Sequence, residues 1–278
     1  MAGEPDRLVT VAALQMSSGA ERAANLESAA QLLETAAARG ARVAVLPENF
    51  SLMAQRDADR RALAEADGDG PVQHFLAQAA RRLGLWIVAG SVPLANAPGE
   101  RIAQSCLVYG ADGARVARYD KIHLFDVDLP ERRESYRESA HMAPGNQVVV
   151  LDTPAGRLGL SICYDLRFPE LYRQLVAQGA QWLVVPAAFT VPTGEAHWEP
   201  LLRARAIENL CYVVASGQWG EHPNGRRTWG HSLIIDYWGR LLAQLEAGVG
   251  VITGAIDLAA QAEARRTFPA LAHRVLRD

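Results

Sequence analysis

Residues 8–49 read LVTVAALQMSSGAERAANLESAAQLLETAAARGARVAVLPEN, and this stretch decides the fold class. Leu8 to Gln15 is a short apolar run rich in strand formers. From Arg22 to Arg39 the residues Ala24, Leu26, Ala29, Leu32, Leu33 and Ala36 approximate helical spacing, and Gly40 supplies a stop. Val43 to Leu46 is a second buried strand that runs into Pro47-Glu48-Asn49. Strand, helix and strand in that order predict a packed α/β layer, with Glu48 at the carboxyl end of a strand.

The same alternation continues outward. Pro71 opens a helix carrying Phe75, Leu76, Ala79 and Leu83, and Gly84 closes it before a strand at Leu85 to Ala89. Ala103 to Tyr109 and Arg115 to Lys121 form a hairpin about Ala111-Asp112-Gly113, so Lys121 ends that hairpin. Residues 122–147 are polar and without sustained period, and a loop of that length inside a compact domain often lines an active site. Strands return at Val148 to Asp152 and Leu158 to Ile162 around a Pro-Ala-Gly turn, and Cys163 follows directly. A helix from Glu170 to Gln178, a strand at Trp182 to Val185, a helix near Glu199 to Asn209 and a strand at Tyr212 to Ser216 extend the pattern. Three further strands are expected at Ser232 to Asp236, Arg240 to Gln244 and Val249 to Ile256. No linker interrupts the series, so residues 1–278 read as a single domain with Met1 to Arg7 as a short flexible leader. Two sheets between helices accommodate these elements, and periodicity alone leaves one larger mixed sheet open.

Composition narrows the function. With 278 residues, 49% of them hydrophobic, the chain can bury one substantial core. A formal net charge of −3 gives no general drive toward nucleic acid or an anionic membrane, which leaves a small molecule as the expected partner. Cys106, Cys163 and Cys211 cannot all pair within one chain and lack the spacing of a zinc site, so reduced thiols in a cytoplasm are expected. Met1 to Thr10 is polar and acidic, unlike a secretory signal. Arg, Asp, Gly or Pro interrupts every apolar segment well short of the roughly 20 residues that span a bilayer.

Cys106 and Cys211 lie in apolar strand contexts and read as buried structural residues. Cys163 instead stands where a buried strand gives way to the polar turn Tyr164-Asp165-Leu166-Arg167-Phe168-Pro169, a junction that can present a nucleophile to backbone N–H groups. Gly159-Leu160-Ser161-Ile162-Cys163 nearly matches the serine-hydrolase pattern G-x-S-x-G but lacks the last glycine, and Ser161 reads as a core or supporting residue. Amide hydrolysis by cysteine needs a base, an oxyanion stabiliser and a proton source for the leaving amine. Glu48 and Lys121 each end a strand, as Cys163 does, and strand ends converge on one rim of a sheet. Taken singly, each would be a solvated charge.

Three blocks change that weighting: Pro47-Glu48-Asn49, Tyr119-Asp120-Lys121-Ile122-His123-Leu124 and Cys163-Tyr164-Asp165-Leu166-Arg167-Phe168-Pro169-Glu170. In this order and spacing they resemble the nitrilase superfamily of carbon-nitrogen hydrolases. The resemblance continues through Pro186-Ala187-Ala188-Phe189, Ala196-His197-Trp198-Glu199, Arg203 to Asn209 and Gly230-His231-Ser232, covering nearly the whole chain. It looks most like the Nit branch, whose members are amidases for deaminated glutathione or for ω-amides of 2-oxo acids. The resemblance implies an α-β-β-α sandwich and a catalytic Glu48, Lys121 and Cys163. It implies a second glutamate at Glu138, because Tyr136-Arg137-Glu138-Ser139 before Ala143-Pro144-Gly145 is similar to the family's segment, with Glu131 and Glu134 as alternatives. It calls for no metal or organic cofactor and suggests a homodimer or higher homo-oligomer with Ala196 to Asn209 and Glu170 to Gln178 near the interface.

The expected cycle is a proton transfer from Cys163 to Glu48, attack on the amide carbon, and stabilisation of the oxyanion by Lys121 and the Tyr164 backbone N–H. Ammonia leaves, and water activated by Glu48 cleaves the thioester while Glu138 orients Lys121 or the substrate amide. Arg167 is the expected carboxylate anchor, with an ion pair to Glu170 as its alternative role. Phe189, Thr190 and Thr193 are expected to shape the pocket. His197 and His231 raise a cysteine-histidine protease, but their neighbours resemble structural blocks of the family. Leu201 to Glu208 and the region from Arg226-Arg227 to Ser232 look slightly closer to deaminated-glutathione amidases than to ω-amidases acting on 2-oxoglutaramate or 2-oxosuccinamate. Nitrile hydrolysis is a related activity, and a silent binding or scaffold protein on the same fold is the reading of another class.

Overall fold

A computed structural model describes residues 8–97, 100–129 and 134–276; the leader read at Met1 to Arg7 lies outside the described residues. The first elements are β1 (Leu8–Gln15), α1 (Arg22–Ala38), β2 (Val43–Val45), α2 (Asp57–Ala62), α3 (Pro71–Leu83), β3 (Trp86–Val88), β4 (Val92–Leu94), β5 (Ile102–Tyr109) and β6 (Arg115–Asp120). Next come β7 (Asp126–Leu129), β8 (Glu134–Arg137), β9 (Met142–Ala143), β10 (Val150–Thr153), β11 (Gly156–Gly159), α4 (Pro169–Ala177), β12 (Trp182–Ala187) and α5 (Val191–Asn209). The remainder comprises β13 (Tyr212–Gly217), β14 (Trp219–Glu221), β15 (Arg227–Trp229), β16 (Ser232–Ile235), β17 (Leu241–Leu245), β18 (Gly250–Asp257) and α6 (Leu258–Thr267).

The alternation along β1 explains why two sheets form rather than one. Val11 and Ala13 enter a core shared with Val43 and Val45 of β2 and with Leu183, Val185, Val213 and Ile234 of the other sheet. Ala12 and Leu14, on the opposite face, pack with Ala29 and Leu33 of α1 and Leu76 and Ala80 of α3. Both faces of the strand are therefore dry, which is why it reads as a continuous apolar run. One sheet has the order β18-β1-β2-β3-β5-β4, with β6 and β9 also on β5, and the other has β10-β11-β12-β13-β16-β17. The second sheet carries α4 and α5 on its outer face through Leu171, Leu175, Trp198, Leu202 and Ala206. The result is the four-layer α-β-β-α sandwich, and the single larger sheet is excluded. Parallel pairing of β1, β2 and β3 and of β11, β12 and β13 follows from the helical crossovers between them.

Several elements depart from the sequence reading. Helix α5 begins at Val191, well before Glu199, because Pro192 is tolerated in the first turn and buried Trp198, Leu202 and Ala206 hold the helix through Pro200. The segment 122–147 contains the β7–β8 hairpin, and α6 follows β18 with the Asp257 side chain accepting from the Ala260 N–H at 2.9 Å. Among the described residues no helix is long and apolar enough to cross a membrane.

Candidate active site

Glu48, Lys121 and Cys163 each stand just past a strand, and each is locked there by backbone geometry. Beyond β2, Leu46 N donates to Val88 O at 2.9 Å, and Gly90 lies so close that a Cβ there would meet Pro47 O at 2.0 Å. Only glycine fits that approach behind Glu48. Beyond β6, Lys121 N donates to Gln104 O at 2.9 Å and its carbonyl accepts from Gly145 N at 2.8 Å. Beyond β11 the chain turns through a short 3-10 helix, Cys163–Arg167, and Cys163 itself has φ of 49°. A non-glycine residue at positive φ is strained, and such strain is characteristic of sites where a side chain must be presented sharply.

Asp165 anchors that turn. Fully buried, it accepts hydrogen bonds from Tyr119 OH at 2.6 Å, Ile162 N at 2.8 Å and His123 N at 3.1 Å, and its Oδ1 lies 2.7 Å from His123 Nδ1. The strand that ends in Lys121 and the turn that carries Cys163 are thereby tied together. Tyr119, His123 and Asp165 all belong to the family-like blocks, yet the sequence does not show this role, because an acceptor's burial is a tertiary property.

The three side chains meet, and Glu138 joins them. Lys121 Nζ lies 2.9 Å from Glu48 Oε1 and 2.9 Å from Glu138 Oε2. Glu138 is fixed in turn by the Phe125 N–H, which donates to Oε2 at 2.7 Å. Of the alternatives, Glu131 lies outside the described residues and Glu134 sits in β8. Burial opposes the charged form of Glu48, but the charges of Lys121 and Arg226 and hydrogen bonds from Lys121 and Cys163 together hold its carboxyl below the ordinary value. Burial also opposes the Lys121 ammonium, and Glu138, Glu48 and Cys163 overcome it, so its pKa is raised. For Cys163, burial and then the Glu48 charge push the thiol well above its usual value, against Lys121 and the Ala188 backbone N–H. The resting arrangement is a neutral thiol donating to an ionised Glu48 beside a charged Lys121. Cys106 and Cys211 are buried and unpaired by disulfide, with burial pushing Cys211 up to about 12.

These groups open onto a cavity of about 460 Å³ lined also by Tyr164, Arg167, Phe189, Thr190 and Thr193. Arg167 makes no ion pair with Glu170; its Nη1 lies 3.2 Å from His197 Nδ1, and its guanidinium sits 5.5 Å from the Phe189 ring centroid. His231 stacks on Trp229 at 4.0 Å, so neither histidine is engaged with the cysteine. Ser161 is fully buried and bonded to Val184 O at 2.7 Å. Arg56, Arg60, Tyr136, Asn224 and Arg226 line the cavity as well; Tyr136 and Arg226 fall in stretches that carry the family resemblance, but the sequence marks none of the five as a pocket residue. Among the described residues no group of His, Cys, Asp and Glu is arranged to hold a metal ion.

A family model described as carbon-nitrogen hydrolase matches residues 10–266. The chain is 44% identical over 264 residues, 95% of its length and 92% of the relative's, to a Yersinia enterocolitica protein named deaminated glutathione amidase. The crystal structure of the C. elegans NitFhit protein is similar with a TM-score of 0.90 and 37% identity, covering 96% of this chain and 65% of that longer one. An amidase from Nesterenkonia sp., solved after Michael addition of acrylamide at its active-site cysteine, is similar with a TM-score of 0.77 and 27% identity, covering 94% of this chain and 99% of that one.

Proposed function

From the premise that this chain belongs to the carbon-nitrogen hydrolase family and is an amidase for non-peptide C–N bonds, we propose that Cys163 is its nucleophile and deaminated glutathione its substrate. The observation that carries the mechanism is the buried Lys121 held between Glu48 and Glu138 beside the Cys163 thiol. Glu48 takes the Sγ proton as sulfur attacks the amide carbon, so the thiolate forms only in company with bond formation. The oxyanion is met by the Lys121 ammonium and the Tyr164 N–H, each such donor being worth about 3–4 kcal/mol in comparable sites. The C–N bond then breaks and protonated Glu48 returns its proton to the departing amine. A water deprotonated by Glu48 cleaves the thioester, sulfur leaves as the thiol, and Glu138 keeps Lys121 aimed throughout.

Arg167 anchors the carboxylate of the acyl half by its planar guanidinium, over a floor shaped by Phe189, Thr190 and Thr193. For a primary ω-amide such as 2-oxoglutaramate the leaving group is ammonia; for deaminated glutathione, whose amide nitrogen belongs to cysteinylglycine, it is that dipeptide. The cavity volume of about 460 Å³ favours the larger substrate. Both substrates deliver the same acyl group, so quenched mass spectrometry should find one adduct mass on the Cys163 peptide with either. The kcat/KM should be higher for deaminated glutathione. Turnover that persists after Cys163 is alkylated would reject the mechanism, and preference for 2-oxoglutaramate would reject the substrate.

We also infer a cytoplasmic homodimer, with residues 196–209 of α5 and the neighbourhood of α4 at the interface. Ile207, 52% exposed on α5, supports that assignment. Sedimentation should give twice the 30.1 kDa chain mass, and an Ile207→Asp variant should sediment more slowly.

A further inference from the structure

Among the described residues, three of the guanidiniums that line the active-site cavity form no ion pair with a carboxylate. Lys121 is held by two glutamates, Arg56 pairs with Asp59, and Arg137 pairs with Asp128. Arg60, Arg167 and Arg226 line the same cavity, and none of them forms an ion pair with a carboxylate among the described residues. Glu48 and Glu138 outnumber Lys121 by one charge and Arg226 acts on Glu48, yet three further guanidiniums still leave the cavity positive in a chain of net charge −3, a field that favours a ligand carrying more than one negative charge.

Two details separate Arg60 and Arg226 from Arg167. The Arg226 Nη2 donates to Ala188 O, but its Nε and the Nε of Arg60 are both buried without an acceptor. A buried N–H left unmatched is costly, so a rotation of either guanidinium toward an acceptor that arrives with the substrate is favoured. Arg167 and Arg226 also flank a row of three rings. The Arg167 Cζ lies 5.8 Å from the Tyr164 centroid and the Arg226 Cζ lies 5.3 Å from that of Tyr136, while both tyrosines pack on Phe125 at 5.0 Å. An elongated substrate lying along this aromatic wall meets a guanidinium at each end.

We propose that Arg60 and Arg226 form a second carboxylate-binding position, so that the enzyme selects ω-amides whose leaving amine itself bears a carboxylate. Arg167 takes the carboxylate of the acyl half, and Arg60 with Arg226 takes that of the amine half. The proposal rests on the amidase reading above and specifies its substrate class. It also predicts that a short oxo-acid amide, which has one carboxylate, is discriminated against without a steric block.

Titration calorimetry on the Cys163→Ala protein, with Cys163→Ser as a second parent, reads this position without turnover. The probes are deaminated glutathione and its analogue with the glycine carboxylate converted to a carboxamide. The free acid should bind about tenfold to a hundredfold more tightly than the carboxamide, the range expected for a charge-assisted contact. Adding Arg60→Gln should shrink that ratio about tenfold, Arg60→Lys should keep most of it, and Arg226→Gln should shrink it as well. Absence of binding by the free acid, equal affinity for the two ligands, or a ratio untouched by both substitutions overturns the proposal. Equal weakening of both ligands indicates a purely structural role and overturns it too. A wild-type protein that shows the binding preference yet releases no amine refutes the amidase reading and leaves the second anion position standing.

Discussion

Glu48→Gln should lower kcat by about 10³-fold, within the range for losing a general base, and at the same time make the Cys163 thiol easier to ionise. The two effects have opposite signs because Glu48 acts on Cys163 in two ways. Its charge opposes a thiolate, and together with burial it pushes the thiol well above its ordinary value. In the proposed mechanism its lone pair is nevertheless where the proton goes when the C–S bond forms. A neutral glutamine removes the repulsion, leaves Lys121 beside the sulfur at its existing position, and so lowers the thiol pKa, but it cannot receive the proton. Labelling of Cys163 by iodoacetamide across a pH series should therefore shift its midpoint downward in the variant while amide turnover collapses. If kcat stays within about tenfold of wild type, or the midpoint moves up, Glu48 is not the base.

The Glu48, Lys121 and Cys163 cluster is readable because each member stands close behind a strand that the sequence marks, and the physics that makes the strand legible also places its end. Val43 to Val45, β5 and the run into Cys163 announce themselves by continuous burial on both faces, whereas the half-exposed β6 is placed by the Asp112-Gly113 turn that pairs it with β5. Arg226 and Arg60 carry no such mark. Arg226 sits beyond the Asn224-Gly225 turn between β14 and β15 and Arg60 lies on the short surface helix α2, so only the closed fold brings them to the same cavity. The β7–β8 hairpin is hidden for a different reason: its strands are four residues each, and although Asp126-Val127-Asp128-Leu129 alternates, Glu134-Ser135-Tyr136-Arg137 is mostly polar, so the pair is too short and too polar to stand out within a long irregular segment. Helix α5 was read too short because Pro192, Gly194 and Pro200 lower local propensity, whereas burial of Trp198 and Leu202 decides the outcome. Local sequence thus reports elements that carry their own apolar face and is silent where polar pairing or distant packing supplies the stability.

Lys121→Met should cost both turnover and stability, and the pH dependence of the stability loss distinguishes its cause. Loss of one oxyanion donor should lower kcat by about 10²–10³-fold. Removing the cation that bridges two carboxylates, one 2% exposed and the other largely covered, should also lower unfolding free energy at neutral pH by about 3–5 kcal/mol. In the wild type the Glu48 carboxyl is held below its ordinary value, so its stabilising contribution is present above the unfolded pKa and is lost as pH falls through the folded one. In the variant, burial and the neighbouring Glu138 charge are still opposed by the Arg226 charge and the Cys163 hydrogen bond but no longer by Lys121, so the folded pKa should rise above the unfolded value and the sign reverse. The variant is then penalised at neutral and alkaline pH and relieved as acidification places a proton on one carboxyl. Urea denaturation from about pH 8 down to about pH 5 should show the gap between the two proteins narrowing as pH falls. A gap of constant size would mean that the methionine only disturbs packing, and the charge triad would lose its place as the element that organises this site.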